Sequence, residues 1–254
     1  MPPSSRSEAD AGDRELTRAA PGSRHGPPAS DGSDVASVYG HRFSAREEAA
    51  RARVWRELAR WLQRYVPSDA SLLDIGCDRG HFLRWIRAAE KWAADVQDVT
   101  AFLPDDVRFV RCSGLTLDER LPSGSFDRVF MSNYLEHLPS SEAVVQQLRV
   151  AAGLVRPGGQ VLVLQPNVRL VGGAYWDFID HKVPLTERSL VEAAELAGLR
   201  TRRLVVRFLP YTSKGRLPAN PLLVRAYLAL RPAWLLLGKQ TFYVGERPRD
   251  ARPA

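Results

Sequence analysis

A turn with two glycines follows the first apolar strand of the sequence, and it suits the binding of a nucleotide-like ligand. Gly76 and Gly80 lie between the strand pattern of Ser71–Ile75 and a helical pattern that begins at His81. Because glycine has no Cβ atom, a ligand can approach the backbone N–H groups of such a turn. The turn lacks a Gly-Lys-Ser/Thr run, which disfavours a phosphate-binding NTPase loop. Turns of this type also occur for purely structural reasons, so further signals are needed.

Acidic residues in the first two predicted strands supply one such signal. Asp74 lies in the first strand, and Asp95 follows 21 residues later, within the second predicted strand, Trp92–Val96. A carboxylate at the end of this strand can accept hydrogen bonds from both hydroxyls of a ribose. Asp98 is close enough in sequence to be the alternative, and a solvated acid without function is the other.

Groups that could act on a second substrate lie further along the chain. His181 follows the fifth predicted strand, and its imidazole titrates near neutral pH. We predict that it is a base or a substrate-positioning residue, with a structural role as the alternative. His137, in a Leu-Glu-His-Leu run after the fourth strand, is the second catalytic candidate, although it is also expected to orient that loop. No Cys/His spacing indicates a metal site, so no metal is predicted.

Aromatic residues precede His181 in the same segment. Tyr175, Trp176 and Phe178 suit the wall of a flat or apolar acceptor pocket, and core packing explains them equally well.

Alternating strand and helix patterns predict the elements that must position these residues. Continuous apolar strands separated by helices are typical of an α/β fold with a mostly parallel sheet covered on both faces. The predicted helices are Ser44–Val66, His81–Glu90, Ser141–Val155 and a segment from Thr186 to Gly198. The predicted strands are Ser71–Ile75, Trp92–Val96, Val107–Val110, Asp127–Ser132, Gln160–Leu164, Arg202–Leu209 and Thr241–Val244.

The composition excludes several classes and locates the charge. The 254 residues are 44% hydrophobic and include two cysteines, Cys77 and Cys112, so neither a disulfide framework nor a four-thiolate zinc site is expected. This cysteine content suits a reducing cytoplasm. The net charge is +7, but residues 200–254 alone carry +10 and the rest carries −3. We therefore predict no nucleic-acid partner, because the basic segment coincides with the most apolar stretch of the chain.

The same patterns predict the domain organisation. Residues 1–37 have too few large apolar side chains to fold and read as a disordered tail. A core domain follows at 38–209, a basic and apolar insertion at 210–240, the last core strand at 241–246 and a tail at 247–254. The insertion is expected to cap the acceptor pocket, to contact an anionic membrane surface or to form a dimer interface, and the oligomeric state stays open.

Four motifs in order resemble those of class I S-adenosylmethionine-dependent methyltransferases. They are the glycine turn, the acid Asp95, the run from Phe126 to Leu138 and the run from Leu154 to Val161. The resemblance implies a Rossmann-like seven-stranded methyltransferase fold with S-adenosylmethionine as cofactor. It also implies the cofactor contacts: Asp74, Gly76 and Gly80 against the methionine part, Asp95 on the ribose, and Asn133 and Leu135 at the sulfonium end.

The chain departs from the family pattern at two positions. Asp78 occupies the centre of the turn, where the family usually has glycine. Aspartate tolerates left-handed backbone, and we expect its carboxylate to point away from the cofactor or to pair with Arg79. After the third strand, Ser113 stands where the family often has an acid for the adenine amine.

The second half of the chain resembles a subgroup associated with bacterial glycan and lipid-linked sugar assembly. The similarity lies in 166–198 and in Phe208-Leu209-Pro210-Tyr211-Thr212. It implies O-methylation of a small, sugar or lipid-linked acceptor. C-methylation of a quinone-like ring is the first alternative, and a non-catalytic binding protein with this fold is the second.

Overall fold

Seven strands form a single sheet in the computed structural model, which describes residues 45–211 and 220–249. The sheet order is β3-β2-β1-β4-β5-β7-β6, and only β7 runs antiparallel to its neighbours β5 and β6. The strands are β1 (Ser71–Ile75), β2 (Glu90–Asp95), β3 (Val107–Arg111), β4 (Phe126–Ser132), β5 (Val155–Pro166), β6 (Arg200–Leu209) and β7 (Gln240–Glu246). The predicted mostly parallel α/β fold is confirmed.

Helices cover both faces of this sheet. They are α1 (Ala45–Leu62), α2 (His81–Trp85), α3 (Ser141–Leu154), α4 (Val168–Val171), α5 (Glu187–Leu196), α6 (Pro221–Ala229) and α7 (Arg231–Leu237). One apolar core lies between the sheet and α3 and α5, and a second lies between the sheet and α1, α2, α6 and α7. The side chains of Ser140 and Thr186 cap α3 and α5 by accepting backbone N–H bonds, as expected of helix N-caps.

Several predicted boundaries were wrong. Helix α2 ends at Trp85 rather than at Glu90, because Ile86 turns its backbone to an extended conformation. The N–H groups of Ala89 and Glu90 then bond to the Ala70 carbonyl and start β2 earlier than predicted. Strand β5 begins at Val155 rather than at Gln160. The Pro-Gly-Gly run lies within the strand, where the pairing of β5 with β4 shifts register.

The described part of the predicted insertion packs on α1 and β6. The ring centroid of Trp61 in α1 lies 4.5 Å from that of Phe208 and 5.7 Å from that of Trp234. Arg225 of α6 forms a 3.0 Å ion pair with Glu57, which is buried in α1. These contacts anchor α6 and α7 to the domain. The predicted disordered tail, residues 212–219 of the insertion and the end of the C-terminal tail lie outside the described residues.

Three described arginines of the basic C-terminal segment are bound to other parts of the fold. Arg202 pairs with Glu246 at 3.0 Å, and Arg225 pairs with Glu57. Arg247 donates to the carbonyls of Gly153 and Val155 at 2.9 Å each, where α3 ends. A cation at this position satisfies carbonyls that the helix leaves unbonded. Part of the positive charge therefore serves the fold. Within 45–211 and 220–249, no helix is long and apolar enough to cross a bilayer.

Candidate active site

The turn after β1 is bent by three residues in left-handed backbone. Gly76, Asp78 and Gly80 have φ values of 70°, 48° and 64°. The N–H of Gly76 bonds to the Ala94 carbonyl at 2.8 Å, so the turn is attached to the end of β2. The centre of the turn therefore keeps the conformation that glycine would adopt although it carries a side chain.

The Asp78 carboxylate is held by the N-terminal helix. Its Oδ2 accepts a hydrogen bond from Arg51 of α1 at 3.0 Å. The expected partner, Arg79, lies instead over the Phe102 ring, with its guanidinium carbon 4.7 Å from the ring centroid. The alternative pairing with Arg79 was therefore wrong, because α1 crosses the turn and brings a closer cation. The sequence pattern could not reveal this contact between residues 27 positions apart.

Two more carboxylates converge on the turn. Asp95 accepts the N–H of Asp78 at 3.2 Å through Oδ2 and the N–H of Gln97 at 3.0 Å through Oδ1. Asp74 is only 4% exposed, and burial, together with the charges of Asp95 and Asp78, raises its pKa well above the usual value. The alternative ribose acid, Asp98, is exposed and its Oδ1 accepts hydrogen bonds from Thr100. Asp95 is thus the acid attached to the turn.

Tyr134 is a residue of this region that the sequence reasoning missed. Its ring packs so closely on Gly76 that a Cβ atom there would lie 2.4 Å from the ring. Its hydroxyl donates to the Gln147 side chain at 3.0 Å and also approaches Gly114, just after β3. Tyr134 therefore spans the ends of β1 and β3. The Ser113 hydroxyl accepts the N–H of Leu115 at 3.3 Å and caps a short 3₁₀ helix.

The two residues expected at the sulfonium end have different surroundings. Asn133 is exposed at the end of β4 with a φ of 48°. The side chain of Leu135 is buried in the core on the α3 side of the sheet. Only the backbone of Leu135 is therefore in a position to face a ligand at the sheet edge.

The two candidate histidines come together although 44 residues separate them. Their ring centroids are 5.0 Å apart. His137 Nδ1 lies 3.1 Å from the Asp180 carbonyl, and the buried His181 places Nδ1 2.8 Å from the Tyr175 carbonyl. The ring of Phe178 packs on His181 with a centroid distance of 5.2 Å. The loops after β4 and β5 thus present both imidazoles at the carboxyl edge of the sheet, the edge where open α/β sheets bind ligands.

Glu136 links the same two loops. Its carbonyl accepts the N–H groups of Lys182 at 2.8 Å and Val183 at 3.1 Å. Its side chain is 1% exposed, and burial raises the pKa of its carboxyl to about 7. Sequence reasoning did not single out this side chain, because an acid in a loop gives no signal of burial.

Tyr175 belongs to the core rather than to an accessible wall. It is fully buried and its hydroxyl donates to the Val183 carbonyl. Trp176 is exposed and Phe178 is half-buried. The amide of Gln165, at the carboxyl end of β5, is buried and has no hydrogen-bond partner among the described residues. Buried amides normally have partners, which makes Gln165 a candidate contact for a bound acceptor.

The groups around the turn fit S-adenosylmethionine. The cofactor carries an ammonium, a sulfonium and a ribose diol, and the carboxylates of Asp74 and Asp95 lie at the turn. Burial near two other acids makes Asp74 costly to ionise, and a cation placed beside it would relieve that cost. The residues that would hold the cofactor are therefore Asp74, Asp95 and the backbone of the turn from Gly76 to Gly80.

Comparisons with known proteins agree with this fold. Residues 47–204, more than half of the chain, match the family model described as a methyltransferase domain. A S-adenosylmethionine-dependent methyltransferase structure from Archaeoglobus fulgidus aligns with a TM-score of 0.58 at 19% identity, over 84% of this chain and 99% of that one. At that identity the likeness shows the fold. The class is that of methyltransferases that use S-adenosylmethionine.

The chain belongs to the methyltransferase domain family, and its cofactor is S-adenosylmethionine. A curated relative is the ubiquinone biosynthesis O-methyltransferase of Xanthomonas axonopodis pv. citri (strain 306), 29% identical over 157 residues. The alignment covers 53% of this chain and 62% of the relative. A second relative of the same name, from Xanthomonas euvesicatoria pv. vesicatoria (strain 85-10), is also 29% identical, over 52% of this chain and 60% of its own length. The chain thus spans about three fifths of the length of these relatives.

We expect Asp78→Gly to tighten S-adenosylmethionine binding by about three- to tenfold, which is roughly 0.7–1.4 kcal/mol. The change removes a negative charge beside the expected position of the cofactor carboxylate and gives the left-handed position the residue that favours it. Calorimetric titration of both proteins with S-adenosylmethionine measures the difference. Asp78→Asn separates charge from backbone, and weaker binding by both variants would contradict the expectation.

Proposed function

We propose that the chain transfers a methyl group from S-adenosylmethionine to a hydroxyl of a lipid-linked acceptor. The observation that carries this proposal is the imidazole of His181, held at the carboxyl edge of the sheet with its Nδ1 on the Tyr175 carbonyl. A carbonyl only accepts hydrogen bonds, so this contact assigns the proton of the neutral ring to Nδ1 and the lone pair to Nε2. Nε2 is then the basic atom.

When bound, S-adenosylmethionine supplies an electrophilic methyl group. His181 would take the proton from the acceptor hydroxyl at Nε2 as the oxygen bonds to the methyl carbon and the methyl–sulfur bond breaks. The surrounding rings of Tyr175 and Phe178 fix the orientation of the imidazole. Much of the rate of such a transfer comes from alignment of the two reactants. The loops after β4 and β5, which are hydrogen-bonded to each other through the Glu136 carbonyl, would maintain that alignment.

The name of the relatives supports oxygen as the methylated atom. Both are O-methyltransferases of ubiquinone biosynthesis, and the alignments cover about half of this chain. The sequence resemblance to glycan and lipid-linked sugar methyltransferases supports a hydroxyl acceptor as well. C-methylation of a quinone-like ring, the alternative, would need no base for a hydroxyl and would give His181 only a positioning role.

An exposed apolar surface supports a lipid-linked acceptor. We call it the leucine surface, and it consists of Leu222, Leu223, Leu230, Leu235, Leu236 and Leu237 on α6, α7 and the link between them. Leu235 and Leu236 are 69% and 82% exposed. Arg203 and Arg231 lie beside it, in the groove between β6 and α7. Clustered exposed leucines bordered by arginines are the composition that binds an anionic lipid surface. We therefore propose a peripheral membrane contact through the leucine surface.

Vesicle flotation tests this contact. The wild-type protein is expected to float with phosphatidylglycerol-containing vesicles, and Leu235→Asp/Leu236→Asp should lower the bound-to-free ratio by about tenfold or more, since burying one leucine contributes about 1.5–3 kcal/mol. Leu196→Asp is the matched control, because Leu196 is 63% exposed on α5, outside the leucine surface. Equal loss in the control, or no flotation of the wild type, would contradict the membrane contact.

A labelled-methyl assay tests the reaction itself. Protein and S-adenosylmethionine with a labelled methyl group are incubated with lipid and aqueous extracts, and the products are treated with hydroiodic acid. Label in the lipid fraction that is released as methyl iodide supports O-methylation of a lipid-linked acceptor. Label that resists the acid indicates C-methylation, and label only in aqueous products overturns the lipid link. No cofactor binding at millimolar concentration would favour the non-catalytic alternative.

A further inference from the structure

Three potential metal ligands converge between the loops after β4 and β5. Glu136 and His137 lie in the short 3₁₀ helix after β4, and His181 lies in the loop before α5. One ligand atom of each side chain lies within 4.8 Å of the others. The spacing of the sequence gives no sign of this group, because His137 and His181 are 44 positions apart. Folding alone brings the three together.

The hydrogen bonds of both histidines prepare the rings for a cation. Nδ1 of His137 and Nδ1 of His181 face backbone carbonyls at 3.1 and 2.8 Å. Carbonyls accept only, so both protons are assigned to Nδ1 and both lone pairs to Nε2. Metal-binding histidines commonly have this arrangement, in which the second nitrogen donates to a carbonyl or carboxylate and fixes the tautomer. His137 Nδ1 also lies 3.4 Å from the Asp180 carboxylate.

Glu136 provides an independent observation. Its carboxylate is 1% exposed, and its Oε2 has no hydrogen-bond partner among the described residues. A buried carboxylate oxygen without a partner costs free energy unless an ion or another group satisfies it. Because the backbone of Glu136 is held by Lys182 and Val183, the carboxylate cannot simply turn out to solvent with its loop.

We propose that Glu136, His137 and His181 bind one divalent transition-metal ion, with Zn²⁺ as the reference ion. Two imidazoles and one carboxylate form a ligand set that suits Zn²⁺ and Fe²⁺ and disfavours Mg²⁺ and Ca²⁺, which select oxygen ligands. Three protein ligands leave a position for water or an acceptor oxygen. The role of that position rests on the proposed function: with an ion bound, His181 would act as a ligand rather than as the base, and the ion would lower the pKa of the acceptor hydroxyl so that its proton leaves to water. Binding of the ion does not depend on methyl transfer.

Metal titration of the untagged, chelator-treated full chain tests the site. We expect one Zn²⁺ per chain by calorimetry and elemental analysis. His181→Ala and Glu136→Gln should each weaken binding by about 100-fold or more, since even outer-shell changes cost about 10–100-fold. His81→Ala is the matched control, because His81 also faces a carboxylate, that of Glu48 at 2.6 Å, but lies outside the group. Binding that survives in both ligand variants, or is lost equally in the control, overturns the site.

A measurement on the wild type avoids the risk that a variant fails to fold. X-ray absorption of the Zn²⁺-loaded protein should show two imidazoles and oxygen ligands without sulfur. Sulfur ligation would place the ion on Cys77 or Cys112 and overturn the proposal. Methyl transfer by a protein that binds no Zn²⁺ would also overturn it while leaving the proposed function intact. Zn²⁺ binding without methyl transfer would support the site and count against the proposed function.

Discussion

Asp95→Ala is expected to weaken S-adenosylmethionine binding by about 100-fold, while Asp98→Ala leaves it within about twofold. A carboxylate that accepts two ribose hydroxyls makes hydrogen bonds to a charged group, each worth about 1.5–3 kcal/mol, and 3 kcal/mol corresponds to slightly more than 100-fold. Asp95 also holds the turn itself, through the N–H groups of Asp78 and Gln97. Both effects act in the same direction. Calorimetric titration of the three proteins measures the difference.

The comparison between Asp95 and Asp98 makes this test specific. Asp95 is the last residue of β2 and Asp98 follows three residues later, but Asp98 is exposed and bonds to Thr100. General loss of negative charge near the turn would affect the two variants alike. A larger loss in Asp98→Ala would assign the ribose to Asp98 and contradict the site as described. Thermal melts of the variants separate lost affinity from lost folding.

His181→Ala is expected to lower kcat by about 1,000-fold, within the 10²–10⁴ range of a general acid or base, with little change in S-adenosylmethionine affinity. The imidazole lies in the loop after β5, not among the carboxylates around the glycine turn. Removal of the buried ring also leaves a cavity against Tyr175 and Phe178. His181→Gln reduces that problem, because its amide can still donate to the Tyr175 carbonyl, and it should show a comparable loss of kcat. Single-turnover methyl transfer at saturating acceptor measures this loss.

Lys182→Ala is the control for His181. Lys182 is the next residue and its side chain is exposed, so the control keeps the loop and its backbone contacts while changing a neighbouring charge. We expect its kcat to stay within about threefold of the wild type, since exposed side chains rarely contribute more than 0.5 kcal/mol. Full activity in His181→Gln would contradict the role of His181 as the base. It would favour a mechanism in which the rate comes from alignment of the two reactants alone.

The cofactor half of the site was predictable to a large extent from the sequence. Glycines at the end of an apolar strand, followed by a helix, and acids in the first two strands act through local backbone conformation and strand order, which short sequence patterns carry. The structure attaches Asp95 to the turn through the N–H of Asp78, and its predicted contact with the ribose stays a prediction. What the patterns missed was Arg51 on Asp78 and Tyr134 on Gly76. Both are contacts between elements that are distant in sequence, and the type of neither residue indicates which partner it contacts.

The acceptor half depended on tertiary structure. The sequence named His181 and His137 separately, but it could not show that the two rings lie 5.0 Å apart or that Glu136 is buried between their loops. It left a pocket wall and core packing open for both Tyr175 and Trp176, and folding buried the first and exposed the second. Which loop residues turn inward follows from side-chain packing between loops, and packing has no short period that a sequence pattern could reveal.

The sequence by itself determined the α/β class, the cofactor turn with its acids and the location of the positive charge near the C-terminus. These are properties of local propensity, strand order and composition. Only the tertiary structure decided that part of this charge binds Glu57, Glu246 and the end of α3, and that the leucine surface stays exposed beside Arg203 and Arg231. It also decided that the side chains of Glu136, His137 and His181 lie together as potential ligands of one ion. The physical reason is the same in each case: ion pairs and ligand sets form between residues far apart in sequence, and their partners exist only once the sheet and its loops have folded.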